Sequence, residues 1–221
     1  MTRILAIETS SDTCSVALTD GLSVHAFHEL MPRQHSEELL GVIEDLLKSA
    51  SLSIENLDAV AVGCGPGSFT GIRLACSTAQ AIAYSQNIDG IVVSSMEILA
   101  SKVNRTESRE NIVSIVDANM GRLYIGQYNY SGGSLSSSEL RSINLDAFNP
   151  HDYDEHTFFV GEGCKLVLDS IKSASNLISY EHPSALELLN IAKERLKNNE
   201  TVTSEKILPV YLTEESEWSK S

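Results

Sequence analysis

Apolar and polar positions change period several times along the chain, and each change marks an element. Residues 3–8 carry the apolar run Ile4-Leu5-Ala6-Ile7 closed by Glu8, which predicts a buried first strand. Ser10-Ser11-Asp12 is a turn cluster, 14–18 reads as a second strand, Asp20-Gly21 is a hairpin signal, and 23–29 reads as a third strand. Pro32 breaks the pattern, and over 34–50 the period becomes helical. Leu39, Ile43, Leu46 and Ala50 form one stripe there, widened by Leu40 and Leu47, and Glu37 and Glu38 sit in the first turn, where the helix dipole favours acids. A strand over 57–62, a helix over 70–84, a short strand over 91–93 and a short helix over 94–103 follow.

The polar stretch 102–111 (KVNRTESREN) predicts a boundary, with one lobe over 1–104 and a second over 105–221 whose final residues are candidates to return to the first. Beyond it come a strand over 112–116 ending in Asp117, a turn at Asn119-Met120-Gly121, and a strand over 123–130. Gly132-Gly133 turns again, and a third strand is expected over 138–143. Residues 158–160 read as a buried strand and 164–172 as a helix, and a helix from Ser184 to about 198 places Ala185, Leu188, Leu189, Ala192 and Leu196 on one face. Both halves open with an apolar strand ending in an acid, a tight turn and a paired strand, so the order suggests a duplicated βββαβα unit. Chance similarity of two hairpins is the alternative.

The chain has 221 residues with 42% hydrophobic and 21% charged, which excludes a collagen-like or wholly disordered polypeptide. Asp and Glu number 30 against 16 Lys and Arg, a formal charge of −14. Such a surface repels phosphate backbones, so salt-driven nucleic-acid binding by this chain alone is not expected, and a nucleic-acid function requires a basic partner. No apolar run approaches the ~20 residues that span a bilayer, and the first apolar run is too short for a signal-peptide core. Cys14, Cys64, Cys76 and Cys164 are widely spaced without a C-x-x-C pair, which argues against a disulfide framework or zinc ribbon and for a reducing cytoplasm. The Asn104 and Asn199 glycosylation sequons carry no information without a secretion signal.

The stretch Gly63-Cys64-Gly65-Pro66-Gly67-Ser68-Phe69-Thr70-Gly71-Ile72-Arg73 lies between a strand and a helix. Glycines there allow a sharp turn and close approach to a ligand, beside a helix N-terminus that offers free N–H groups. Gly65, Pro66, Gly67, Ser68, Thr70, Gly71 and Arg73 are therefore the candidates to approach a nucleotide or partner. Neither the Walker A nor the Rossmann spacing fits, and a tight connection packed on its neighbours is the alternative. Glu8 and Asp117, each ending a strand, could face a metal–phosphate cleft, or each could cap a turn. The second hairpin has one glycine and favours the latter. His25 and His28 fall on opposite sides of a strand, His151 and His156 lie in a polar loop, and neither H-E-x-x-H nor G-x-S-x-G occurs, so no metal or catalytic triad is expected. Ala75, Ala79 and Ala83 make a small-residue stripe, and the helix over 34–50 is apolar on more than one face. Leu39, Leu40, Ile43 and Leu47 with Ala75, Ala79 and Ala83 are thus the candidate partner-binding surface, against the alternative of burial within the same domain.

Four blocks, Ile4-Leu5-Ala6-Ile7-Glu8-Thr9-Ser10, Gly65 to Arg73, Asp117-Ala118 before Met120-Gly121, and Pro209-Val210-Tyr211-Leu212, occur in order along the chain, which resembles the bacterial TsaB (YeaZ) family. The resemblance implies an α/β protein of the actin-like, sugar-kinase-like ATPase fold with two ribonuclease-H-like lobes. It implies a role in tRNA modification as a non-catalytic subunit beside a paralogous catalytic subunit, TsaD, and an ATPase, TsaE, which together transfer a threonylcarbamoyl group to N6 of the adenosine next to the anticodon. tRNA would be met only through the complex. A homodimer is implied when the chain is alone, with no cofactor in the isolated chain and ATP or ADP a candidate ligand of the assembled complex. The paralogue's H-H-M-E-x-H metal motif corresponds here to Ser94-Ser95-Met96-Glu97-Ile98-Leu99, so Ser95 and Leu99 stand at its ligand positions. Asn119, Arg122 and Thr213 depart from the family pattern, which commonly has Arg, an acid and Arg at these places. An autonomous actin-like ATPase or small-molecule kinase is the alternative function, and a peptidase, an older label of the superfamily, is a third.

Overall fold

Two five-stranded mixed sheets repeat one plan. The computed structural model describes residues 2–173 and 177–212, so the Thr213 departure lies outside the described residues. The first sheet is built from β1 (Ile4–Glu8), β2 (Thr13–Thr19), β3 (Val24–Leu30), β4 (Ala59–Gly63) and β5 (Asp89–Val93), in the order β3-β2-β1-β4-β5. Interleaved with it are α1 (His35–Ser49) and α2 (Phe69–Gln86), and α3 (Ser95–Glu107) follows β5. The second sheet comprises β6 (Asn111–Asn119), β7 (Arg122–Ser131), β8 (Ser134–Asn144), β9 (Phe158–Val160) and β10 (Leu177–Ser179), in the order β10-β9-β6-β7-β8. In each sheet the first three strands are antiparallel neighbours, and the first strand also pairs in parallel with the fourth, which pairs in parallel with the fifth. The strand plan expected from the two hairpins is duplicated, but the helix expected between the third and fourth strands is replaced in the second sheet by two 3-10 turns, Leu145–Ala147 and Pro150–Asp152.

Among the described residues the chain divides into two compact units, the first formed by 2–98 and Pro183–Val210, the second by Leu99–His182 with Tyr211 and Leu212. The polar stretch at 102–111 is not a linker throughout, because α3 continues through it to Glu107 and buries Val103. Residues 183–210 join the first unit for a packing reason. The last helix, α5 (Ala185–Lys197), buries Ala185, Leu188, Leu189 and Ala192 against Ile4, Ala6, Ala17, Ala59, Ala61 and Ile91. The opposite face of the same sheet, Leu5, Ile7, Val16, Leu18, Val60 and Val62, is covered by α1 and α2. With both faces covered, β1 and β4 are buried at every position, and this is why they read as continuous apolar runs rather than alternating ones.

In the second unit, Val113, Ile115, Leu123 and Ile125 pack with Phe148, Phe159, Cys164, Val167 and Ile171. Phe148, Tyr153 and Phe159 form an edge-and-stack aromatic cluster with centroids 5.4–6.2 Å apart. The helix expected over 164–172 is instead a 3-10 segment, Glu162–Val167, followed by a short α4 (Leu168–Ser173). Gly163 lies so close to the Ile115 backbone that the chain begins this segment tightly wound on β6.

Candidate functional site

The glycine stretch connects β4 to α2, and its tight approaches are to the protein's own backbone and side chains. Gly65 donates its N–H to Ser95 Oγ at 3.1 Å, and its carbonyl accepts from Ser95 N at 2.9 Å and Ser94 Oγ at 3.2 Å. Ser68 N donates to the Ser10 carbonyl at 2.7 Å, and Ser68 Oγ, the N-cap of α2, accepts from Gly71 N at 3.3 Å. Thr9 Oγ1 donates to the Gly71 carbonyl at 2.8 Å. A Cβ on Gly67 would collide with the Ser10 carbonyl and one on Gly71 with the Thr9 carbonyl, so these glycines hold the loop and helix against the turn after β1. Gly65, Pro66 and Gly71 are buried, Gly67 is half-buried, and Ser68, Thr70 and Arg73 are exposed.

The two strand-end acids both cap turns. Glu8 is fully buried; its Oε1 accepts from Ser10 N at 2.6 Å and its Oε2 from Ser95 Oγ at 2.8 Å. Burial pushes its carboxyl above the ordinary carboxylate range, against the opposing pull of the Ser10 and Ser95 hydrogen bonds. Asp117 is exposed and accepts from Asn119 N at 2.7 Å, the same acceptance from two residues on. Met120 and Gly121, at φ 52° and 73°, are the left-handed pair of a two-residue hairpin turn closed by Asn119 and Arg122. The Arg122 guanidinium bonds Ser142 Oγ at 3.1 and 3.2 Å and Asn144 Oδ1 at 3.1 Å, so this side chain staples β7 to β8.

Ser95 hydrogen-bonds Glu8, and Leu99 is buried. The neighbouring Glu97 is held by Arg195, whose NH2 lies 2.7 and 2.8 Å from its two oxygens while NH1 donates to the Val92 carbonyl at 2.6 Å. Burial raises the Glu97 carboxyl and Arg195 pulls it back. Among the described residues no group of three or more His, Cys, Asp or Glu side chains is placed to hold a metal. The Cys64 thiol is pushed up to about 12 by burial, which leaves no thiolate for nucleophilic chemistry near neutrality.

The α1–α2 surface differs from the one expected. Ala75, Ala79 and Ala83 are buried in the core of the first unit with Leu39, Ile43 and Leu47, so the small-residue stripe faces inward and is not a docking surface. Its small side chains let α2 lie close on β4. Of the candidate residues Leu40 is outward, 66% exposed, while Ile43 and Leu47 line a cavity of about 700 Å³ between the helices that also involves Leu52, Ile54 and Ala81. The outward stripe of α2 is Phe69, Arg73, Ser77, Ala81 and Tyr84, with Phe69 60% and Tyr84 74% exposed. The Arg73 guanidinium stacks 3.3 Å above the Phe69 ring.

Residues 27–149 match the family model described as "TsaD: tRNA N6-adenosine threonylcarbamoyltransferase". The Escherichia coli K12 protein named tRNA threonylcarbamoyladenosine biosynthesis protein TsaB is 31% identical over 99% of this chain and 97% of its own length. This chain belongs to the TsaB family. A Haemophilus influenzae TsaB is 29% identical over 98% of this chain and 96% of its own. The solved structure of YeaZ from Pseudomonas aeruginosa superposes with a TM-score of 0.85 at 31% identity, covering 96% of this chain and all of the other. The two sheets, with their shared order and flanking helices, are the two ribonuclease-H-like units of the actin-like ATPase fold.

Sequence reasoning singled out the loop residues and both acids, and the structure brings the loop together with Glu8 through Ser10 and Ser95. It missed Phe69, Ala81 and Tyr84 as surface residues. The signal was present in the spacing 69, 73, 77, 81, one residue in four, but that stripe is mixed in polarity and the adjoining alanine stripe is more uniform.

Proposed function

We propose that this chain is a non-catalytic scaffold subunit in threonylcarbamoylation of N6 of the adenosine next to the anticodon of tRNA, acting in the cytoplasm with a TsaD-like catalytic paralogue and a TsaE-like ATPase. The observation that carries the reading is the α1–α2 face. Two exposed aromatics, Leu40 and an apolar groove lie on one pair of helices, and such a surface suits an equivalent helix pair in a four-helix contact. The paralogue and a second copy of this chain would compete for it, because one patch cannot serve both at once. Support against autonomous chemistry comes from Glu8, whose oxygens are engaged by the chain's own groups instead of facing an open cleft. ATP or ADP belongs to the assembled complex in this reading, with Arg73 and the exposed start of α2 on the side that meets it.

Reconstitution tests the scaffold role: tRNA modification by the cognate paralogue and ATPase is measured with and without this chain. Modification at full rate without it would overturn the reading, and ATP turnover by the purified chain alone would favour the actin-like ATPase alternative. Tyr84→Glu is expected to leave the chain folded and to lower co-purification of the paralogue by at least about 10-fold, the effect of losing one central aromatic contact. Unchanged association would move the docking face elsewhere.

A further inference from the structure

We propose that the Glu8 carboxyl group is the internal clamp of the glycine loop, a buried acceptor that fixes both ends of the loop from within, through Ser10 and Ser95. The isolated chain suffices for this inference, which does not depend on the docking face above. One oxygen accepts from Ser10 N and the other from Ser95 Oγ, and these two residues hold opposite ends of the loop. Ser95 takes the Gly65 N–H on its hydroxyl oxygen and gives its own N–H to the Gly65 carbonyl. The Ser10 carbonyl takes the Ser68 N–H at the start of α2.

A serine hydroxyl has one proton, so donation to Glu8 fixes the direction of the whole relay. Gly65 N–H points to Ser95, and Ser95 O–H points to the carboxylate, each bond polarising the next. Gly63 completes the cradle, because a Cβ there would overlap the Glu8 carboxyl itself. A loop of this kind, beside a helix N-terminus, ordinarily turns its donors to an external anion. Here the loop's amides at Gly65 and Ser68 are taken by Ser95 Oγ and the Ser10 carbonyl, and the Ser95 hydroxyl and Ser10 amide behind them are held in turn by Glu8.

The test is native-state amide hydrogen exchange at Gly65 and Ser68, read by NMR on the full chain. Glu8→Ala is expected to speed both amides by on the order of 10- to 100-fold, the effect of unmaking a buried hydrogen bond. Ser95→Ala is expected to speed Gly65 and spare Ser68, and Glu8→Gln, whose amide oxygen still accepts from Ser10 N while its NH2 faces Ser95 Oγ, to spare Ser68 and to loosen Gly65 less than Ser95→Ala does. Sodium formate, the lost carboxylate in small form, is expected to slow both amides again in Glu8→Ala and to do nothing to wild type, with sodium chloride at equal ionic strength as the reference. The proposal is overturned by unchanged exchange in Glu8→Ala, by Ser95→Ala loosening both amides equally, or by formate failing to act or acting equally on both proteins. Should Glu8→Ala not fold, the pair Glu8→Gln and Ser95→Ala decides: Ser68 retained in both with Gly65 loosened most in Ser95→Ala supports it, and Ser68 loosened in either, or Gly65 unmoved in Ser95→Ala, overturns it.

Discussion

Glu8 is buried among neutral hydrogen-bond donors, and this gives it a definite effect on stability against pH. Its carboxyl lies above the ordinary value of 4.5 in the folded chain. The folded state therefore holds the proton more tightly than the unfolded state, so the stability it contributes is full below pH 4.5 and is lost as pH rises through the folded value. Glu8→Gln removes that slope. Thermal melts across this range should show the Gln variant improving relative to wild type as pH rises, and a wild type that gains on the variant would contradict the sign. At Gly71, where a Cβ would meet the Thr9 carbonyl, Gly71→Ala is expected to cost roughly 1–3 kcal/mol or more, measured as a lowered urea midpoint with an unchanged slope. Arg122, in contrast, has a local role already visible, since its hydrogen bonds to Ser142 and Asn144 tie two strands.

On the scale of elements, the lesson lies in α2. Periodicity announces that a helix has an alanine stripe, but it does not say which side the stripe faces. The alanines were open to two readings, and they face the sheet, where small side chains permit close approach. Ala79→Arg should therefore prevent folding of the isolated first unit, because it buries a guanidinium at a position with no exposure, and circular dichroism of the purified variant reads the outcome. A folded Ala79→Arg protein that merely fails to dimerise would reverse this assignment. The strands were more legible: β1 and β4 are apolar at nearly every residue because helices cover both faces of their sheet. β10 was not legible, since it is three residues long and its strand character comes from pairing with β9, a tertiary fact. The Glu8 relay was half legible. The acid and the glycines stand out in the sequence, but Ser95 is 87 positions from Glu8 and only the fold joins them.

For the whole molecule, charge and chain order set the behaviour. With a net charge of −14, the isolated chain should not retain tRNA in a gel shift at physiological salt, and tight salt-sensitive binding would reveal a basic patch stronger than the average field. The two sheets show that one plan serves twice with different coverings, long helices on the first and 3-10 turns with a short helix on the second. The return of α5 to the first sheet has a consequence for synthesis. The face of Ile4, Ala6, Ala17 and Ile91 has no cover until α5 has left the ribosome. Residues 99–182 are made in between, and at ~5–20 residues per second this takes on the order of 4–17 s. The first sheet of every nascent chain thus waits, partly uncovered, for a helix encoded only after residue 182. Mutations that slow translation between codons 99 and 182 should lower the soluble yield without touching a single contact of the finished fold.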